Sequence, residues 1–269
     1  MSFAPATKPG AMNIETLLPL LAVVALATYF QTVTGFGLGI IVMGATSWLG
    51  LAPVTTVAAV VSLFTLANSA VALPGKLQHV DRRAAGAASL GVLPAIPAGV
   101  LLLEYLSASA SNILQLLLGV VILHVSVSFA FRPATLAKRS SDRGFFGSGF
   151  LSGLSAGLFG VAGPPLIFHF YRQPMEPVAV RNTLLLLFAM TSGTRALFLA
   201  VQDRFNPEIW VLTALTIPVV ALATLVGRRY PPALPHRVMR RIVSGVLLTL
   251  GACLVFESLA PLLATFEAA

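Results

Sequence analysis

The sequence predicts an all-α membrane protein made of two inverted-topology repeats, each a broken or re-entrant hairpin followed by three transmembrane helices. Three observations predict this fold: an apolar composition, an internal duplication, and basic residues that fall mostly in the loops between apolar runs. Hydrophobic residues make up 57% and charged residues 10% of the 269 residues, and the mean hydropathy is +0.91. Such a chain has too few polar residues to cover the surface of a soluble globule of this length.

The duplication is visible as identical residues 124 positions apart. Those in the first half are Pro53, Val54, Phe64, Ala72, Leu73 and Pro94, and those in the second are Pro177, Val178, Phe188, Ala196, Leu197 and Pro218. Each copy also opens with an apolar stretch interrupted by glycines, residues 14–50 in the first and residues 145–171 in the second. Broken apolar segments at matching places in two halves indicate the binding site of a secondary transporter.

Six further apolar runs approach the length of about 20 residues that a membrane-spanning helix needs. They cover residues 54–73, 84–103, 112–131, 178–200, 208–227 and 242–262. The predicted organisation is a disordered leader (1–13), a first transmembrane repeat (14–131), a cytoplasmic linker (132–144), a second transmembrane repeat (145–262) and a tail (263–269). The helix count lies between six and ten, because each broken hairpin either re-enters or spans the membrane.

The positions of lysine and arginine predict the topology, because these residues accumulate in short cytoplasmic loops. If residues 145–171 crossed the membrane once, the loop with five arginines between residues 228 and 241 would lie outside. The second hairpin is therefore expected to enter and leave by the cytoplasmic face. The same rule places both ends of the first hairpin outside. Three spanning helices follow each hairpin, so the two repeats are expected to have opposite orientations.

The broken hairpins are the expected substrate site, since irregular backbone at membrane depth is tolerated only against protein or a water-filled cavity. A half-helix that begins after a break presents free N–H groups and the positive end of its dipole, which favour an anion. The alternative is that the glycines only allow helices to pack closely.

Candidate binding residues lie at the breaks and on the helix after each hairpin. Asn68 and Ser192 occupy equivalent positions in the two copies. Arg195 is the most membrane-embedded charge, and it either serves function or extends to the outer interface. The full candidate set is Gln31, Thr32, Thr34, Gly35, Phe36, Gly37, Asn68, Ser155, Gly157, Phe159, Gly160, Gly163, Ser192 and Arg195.

Composition argues against other classes of protein. One cysteine and four scattered histidines form no cluster of nucleophiles or metal ligands, so we expect no catalytic residue, no metal and no cofactor. The net charge of +8 is spread over loops, which indicates topology signals and anionic-lipid contacts rather than nucleic acid. The expected partners are the lipid bilayer and a small anion, and the oligomeric state is open.

The second hairpin, from Gly153 through Gly157, Gly160 and Gly163 to Leu166, resembles the TauE/SafE sulfite exporter family, and the resemblance covers about residues 14–262. It implies a multi-pass transporter in the bacterial inner membrane for sulfite, thiosulfate, sulfoacetate or other sulfonates. We expect alternating access, with the substrate between the hairpin tips. A passive anion channel and, less favoured, an intramembrane scaffold or enzyme are the alternatives, and the direction of transport and any coupling ion are open.

Overall fold

The structure, a computed structural model, describes residues 14–34, 37–109, 111–130, 135–161, 163–230 and 236–267. These residues form α-helices joined by short connections and no strand. The predicted leader and the last two residues of the predicted tail lie outside them. The helices are α1 (Ile14–Thr34), α2 (Leu38–Trp48), α3 (Val54–Ala72), α4 (Arg82–Ser109), α5 (Ser111–Ala130), α6 (Asp142–Phe159), α7 (Pro164–Tyr171), α8 (Pro177–Val201), α9 (Pro207–Arg229) and α10 (His236–Glu267).

Each of the six predicted spanning runs corresponds to one helix: α3, α4 and α5 in the first half, and α8, α9 and α10 in the second. Within the described residues, five helices are long and apolar enough to cross a membrane, namely α1, α3, α4, α8 and α9. The prediction of an all-α, multi-pass membrane protein is therefore confirmed. Several helices extend beyond the predicted runs: α6 begins at Asp142 within the predicted linker, and α10 continues to Glu267 in the predicted tail.

Both apolar stretches that open the halves are interrupted at glycine. Gly37 precedes α2 with φ of 112°, and Gly160 ends α6 with φ of 68°. Residues with a Cβ rarely adopt these angles, so glycine is what lets the chain turn at each point. A Cβ at Gly160 would also lie 2.4 Å from the carbonyl oxygen of Ala58, which leaves no room for any other residue.

The second hairpin, α6 and α7 with the break between them, begins and ends in the same place. The Leu136 amide before it donates to the Arg172 carbonyl after it, at 2.7 Å. The Gln173 side chain accepts from the Ser140 amide and donates to the Ser140 hydroxyl, each at 2.9 Å. A segment whose two ends are hydrogen-bonded to each other cannot cross a membrane once, which supports the predicted hairpin.

Helix α4 connects the two ends of the molecule. At its start, Arg83 pairs with Asp142 of α6 at 3.0 Å, and near its end Glu104 pairs with Arg204 at 3.2 Å. The 21 positions between Arg83 and Glu104 correspond to about 32 Å of helix, close to the thickness of the hydrocarbon core. The second hairpin therefore opens from the Arg83 end, which carries the basic loops.

The first hairpin, α1 and α2 with the break between them, opens from the other end. Thr16 at its start and Leu51 just after it line one small cavity together with Glu208. Glu208 lies in the first turn of α9, four residues after Arg204, which belongs to the connection before that helix. The contacts thus support opposite orientations for the two hairpins. How the repeats lie in a membrane stays a prediction.

The halves are interleaved. Helix α6 packs against α4 and α1 against α9, so the first arm of each hairpin contacts a spanning helix of the other half, while α3 packs on α8 and α5 on α10. The contact between α6 and α4 is backbone against backbone: a Cβ at Gly149, Gly153 or Gly157 would lie within 2.3–2.5 Å of a carbonyl oxygen of α4. Small residues thus permit the close approach that their spacing predicts.

Candidate functional site

The two hairpin breaks lie side by side against α3. A Cβ on Gly39, in the first turn of α2, would be 2.9 Å from Val161 Cγ2 in the second break and 3.1 Å from Val61 of α3. Gly160 contacts the backbone of Ala58, one turn earlier on α3. The sequence analysis expects the substrate between the hairpin tips, and the structure does bring these tips together.

The first hairpin is held by a closed network of neutral side chains. Asn68 accepts from the Gln31 amide at 3.0 Å and donates to the hydroxyls of Thr32 at 3.1 Å and Thr224 at 2.9 Å. The other end of the Gln31 side chain accepts from the Leu38 amide, which begins α2, at 3.1 Å. The four side chains of this network are polar, and all of them are buried. Their groups satisfy one another, as buried polar groups must to avoid a desolvation cost.

The second hairpin is held by the charged side chain of Arg195. Its Nε donates to the carbonyl of Gly157 at 3.2 Å, and its Nη1 donates to the carbonyl of Ala58 at 2.7 Å and to the hydroxyl of Ser62 at 3.1 Å. Arg195 is 1% exposed and is the largest fully buried side chain among the described residues. Of the two interpretations open from the sequence, the structure shows the side chain pointing into the protein rather than extending to the interface.

Arg195 also lines a cavity of about 350 Å³. Its third guanidinium nitrogen, Nη2, has no hydrogen bond to the described residues, and none of their carboxylates forms a salt bridge with it. A buried charge without a counter-charge is costly, so this position is complementary to an anion. The other lining residues are Thr55, Thr56, Ala59, Val100, Leu103, Glu104, Ser107, Ala108, Leu199, Arg204, Asn206 and Ile209.

The half-helix N-termini contribute less to an anion site than the glycine pattern suggests. Helix α7 begins with Pro164 and Pro165, which have no N–H group to offer a ligand. At the start of α2, the Leu38 amide is already bonded to Gln31. Arg195 is therefore the donor in this region that a ligand can reach with a full positive charge.

The remaining sequence-predicted residues that the structure describes do not line this cavity. Phe159 and Ser192 are buried, and the Ser155 hydroxyl donates to the Leu151 carbonyl of its own helix at 3.2 Å. Gly163 packs on the Ser155 side chain. Gly35 and Phe36 lie outside the described residues, as does the side chain of Thr34.

Five polar residues of this site were not predicted from the sequence. Four of them line the cavity, Thr55, Thr56, Ser107 and Asn206, and the fifth is Ser62, which accepts from Arg195. Ser62 lies six positions before Asn68 on α3, in a run that places polar residues at intervals of three. That helical spacing was a usable signal. Asn206 was not detectable as a cavity residue, because its local pattern is that of a helix cap, and its side chain does accept from the Ile209 amide at 2.9 Å.

Comparison with known proteins agrees with this architecture. The family described as sulfite exporter TauE/SafE matches residues 20–254. A relative from Cupriavidus necator, described as a probable sulfite/organosulfonate exporter TauE, is 59% identical over 251 residues, which cover 92% of this chain and 98% of the relative. No solved structure matches the chain. With the family matched over most of its length, the chain belongs to the sulfite exporter TauE/SafE family.

Proposed function

We propose that this protein is a secondary transporter of small sulfur-containing anions in the bacterial inner membrane, and that it binds its substrate at Arg195. The relative from Cupriavidus necator, which matches almost end to end, bears the name of a sulfite/organosulfonate exporter. One observation carries the site: a buried guanidinium at the meeting point of the two hairpins lines a cavity of about 350 Å³, and its Nη2 has no hydrogen bond to the described residues.

The chemistry of Arg195 suits a sulfite or sulfonate group. A guanidinium presents its N–H groups in a rigid plane and is weakly hydrated, which favours multidentate contacts with oxyanions. Three hydrogen bonds to Gly157, Ala58 and Ser62 already fix its orientation before a ligand arrives. The hydroxyls of Thr55 and Thr56 line the same cavity and can donate to further anion oxygens.

The position of the cavity supports a proposal for the transport state of this conformation. It lies at the end of the molecule where Glu104 pairs with Arg204, the side that the loop charges predict to be outside. At the opposite end, Arg83 joins the start of α4 to Asp142 of α6. We infer an outward-open state, which alternates with one that opens at the basic end. Because each hairpin packs on a helix of the other half, the moving bodies contain parts of both repeats.

Flux through proteoliposomes tests the proposal. The wild-type protein is expected to show saturable uptake of sulfite and of a monovalent sulfonate, and preloaded unlabelled substrate is expected to accelerate it by counterflow. Arg195→Gln removes the buried charge, so flux falls about 100-fold. Arg195→Lys restores little, because an ammonium cannot make the same fork of bonds. Arg143→Gln is the matched control, since Arg143 is exposed at the opposite end and forms no salt bridge within the described residues, and it keeps wild-type flux.

Ligand-induced stabilisation separates loss of binding from loss of folding. Substrate raises the unfolding temperature of any variant that binds it. The site is supported if Arg195→Gln protein is monodisperse and unfolds cooperatively but its melting temperature does not change when substrate is added. Folded Arg195→Gln protein with wild-type saturable flux contradicts it. Non-saturating flux without counterflow in the wild type indicates a passive channel instead.

A further inference from the structure

The cavity contains a second arginine whose charge is already paired. At its mouth, Arg204 Nη2 lies 3.2 Å from Glu104 Oε2, and both residues line the cavity with Arg195. We infer that Glu104 is a charge-selectivity residue: by neutralising Arg204 it leaves the cavity with one unpaired positive charge, so that the protein prefers monoanionic organosulfonates to dianions. This inference rests on the proposed function and narrows its substrate class.

The charges of the cavity are few enough to be counted. Its ionisable lining residues within the described part of the chain are Arg195, Arg204 and Glu104. Arg195 is buried and unpaired, whereas the other two form a partly exposed ion pair with side-chain exposures of 56% for Arg204 and 29% for Glu104. A monoanion therefore balances the cavity, and a dianion brings in an excess negative charge.

Size and polarity favour an organic anion over a bare inorganic one. A volume of about 350 Å³ equals the share of about twelve liquid waters, well beyond what the four heavy atoms of sulfite fill. Part of the wall is apolar, formed by Val100, Leu103, Leu199 and Ile209. With its sulfonate at Arg195, a short organic chain can lie along this wall toward the mouth.

The placement of Glu104 explains why a second anionic group is disfavoured. Arg195 lies at the buried end of the cavity and Glu104 is near its exposed end, on the last turns of α4. A substrate carrying a sulfonate at one end and a carboxylate at the other would bring the carboxylate toward Glu104. Repulsion between like charges is the usual means by which a site rejects a close analogue.

Two sulfonates on the same two-carbon frame test the inference. Isethionate has a hydroxyl at the second carbon and is a monoanion, whereas sulfoacetate has a carboxylate there and is a dianion at neutral pH. In proteoliposomes the wild type is expected to transport isethionate faster. Glu104→Gln releases the charge of Arg204, so the ratio of sulfoacetate to isethionate flux is expected to rise about fivefold, the upper range for a partly exposed pair.

The charges of the cavity predict the flux ratio of three further variants. Arg204→Gln leaves Glu104 without its partner, so the flux ratio falls below the wild-type value. The double variant Glu104→Gln with Arg204→Gln restores the original net charge, so its ratio returns to the wild-type value. Glu208→Gln is the matched control: this carboxylate is exposed at the same end of the molecule but does not line the cavity, and its removal leaves the ratio unchanged.

The outcomes distinguish this inference from the proposed function. Transport of both sulfonates with the same ratio in wild type and Glu104→Gln overturns the role of Glu104 and leaves the transporter assignment standing. If the ratio of sulfoacetate to isethionate flux rises equally in Glu208→Gln, the effect is one of general surface charge, and the role of Glu104 is again overturned. If no variant, including wild type, transports either sulfonate or sulfite, the proposed function itself fails.

Discussion

The two hairpins have the same architecture and are held by opposite chemistry. In the first, Asn68 of α3 joins the neutral groups of Gln31, Thr32 and Thr224 in a network that satisfies itself. In the second, Arg195 of α8 joins the hairpin to α3: its Nε donates to Gly157 of the hairpin, and its Nη1 donates to α3. The comparison teaches that the polar groups of one copy satisfy one another, whereas the other copy buries a positive charge that has no carboxylate partner within the described residues.

The difference follows from what each arrangement costs. A satisfied neutral network stabilises a fold without needing a partner, while a buried charge with an unused donor destabilises the protein until an anion arrives. Because Asn68 and Ser192 are equivalent in the duplication, Arg195 lies one turn beyond the position that carries the support in the first copy. The second copy thus carries its charge one turn from the equivalent polar position and not at it.

The largest stability difference is expected between the two glycines at the breaks. Gly160→Ala combines a positive φ with a Cβ 2.4 Å from the Ala58 carbonyl, so it lowers the free energy of unfolding by about 3 kcal/mol. Gly37→Ala has the strained φ but its nearest neighbour, a side-chain atom of Ile41, is 3.6 Å away, so it loses about 1 kcal/mol. Urea unfolding in detergent micelles measures both, and equal losses would contradict the tighter packing of the second break.

A smaller loss is expected when the neutral support is removed. Asn68→Ala removes the acceptor of the buried Gln31 Nε2 group and the donor to the buried Thr32 and Thr224 hydroxyls, which costs about 2 kcal/mol of stability. Because Asn68 does not line the cavity, added substrate still raises the melting temperature of Asn68→Ala by the wild-type amount. In Arg195→Gln, by contrast, added substrate is expected to leave the melting temperature unchanged. A substrate-induced shift that disappears in Asn68→Ala would show that the first hairpin also contacts the ligand.

The smallest effect is expected at the basic end of the molecule. Burial raises the pKa of Asp81, but hydrogen bonds from Arg139 and the Ala84 amide outweigh it, and the pKa lies below its ordinary value. Asp81→Asn therefore costs at most about 1 kcal/mol at neutral pH, since the pair is partly exposed. A depressed pKa stabilises the fold only above the ordinary pKa, so the difference between wild type and variant is expected to vanish as acid protonates Asp81. Thermal melts across pH measure this.

Local signals made much of the fold predictable. Glycines in an apolar run located both breaks, the run lengths located the spanning helices, and a lone charge at membrane depth singled out Arg195. Its backbone partners were not predictable, because Gly157 and Ala58 each offer only a carbonyl that any residue would carry. The prolines Pro164 and Pro165 were visible in the sequence and already limited the amides available at α7. The cavity itself arises from the meeting of α3, α4, α8 and α9, which no local pattern encodes.

The interleaving of the halves has a consequence for biosynthesis. The face of α4 that receives the glycines of α6 leaves the ribosome well before α6 does, and α1 precedes its partner α9 by most of the chain. Helices α1 and α4 must therefore enter the bilayer while the faces that later pack on α9 and α6 are covered by lipid or by the insertion machinery. Two separately expressed halves would each carry an unmatched hairpin, so only their co-synthesis is expected to yield assembled protein.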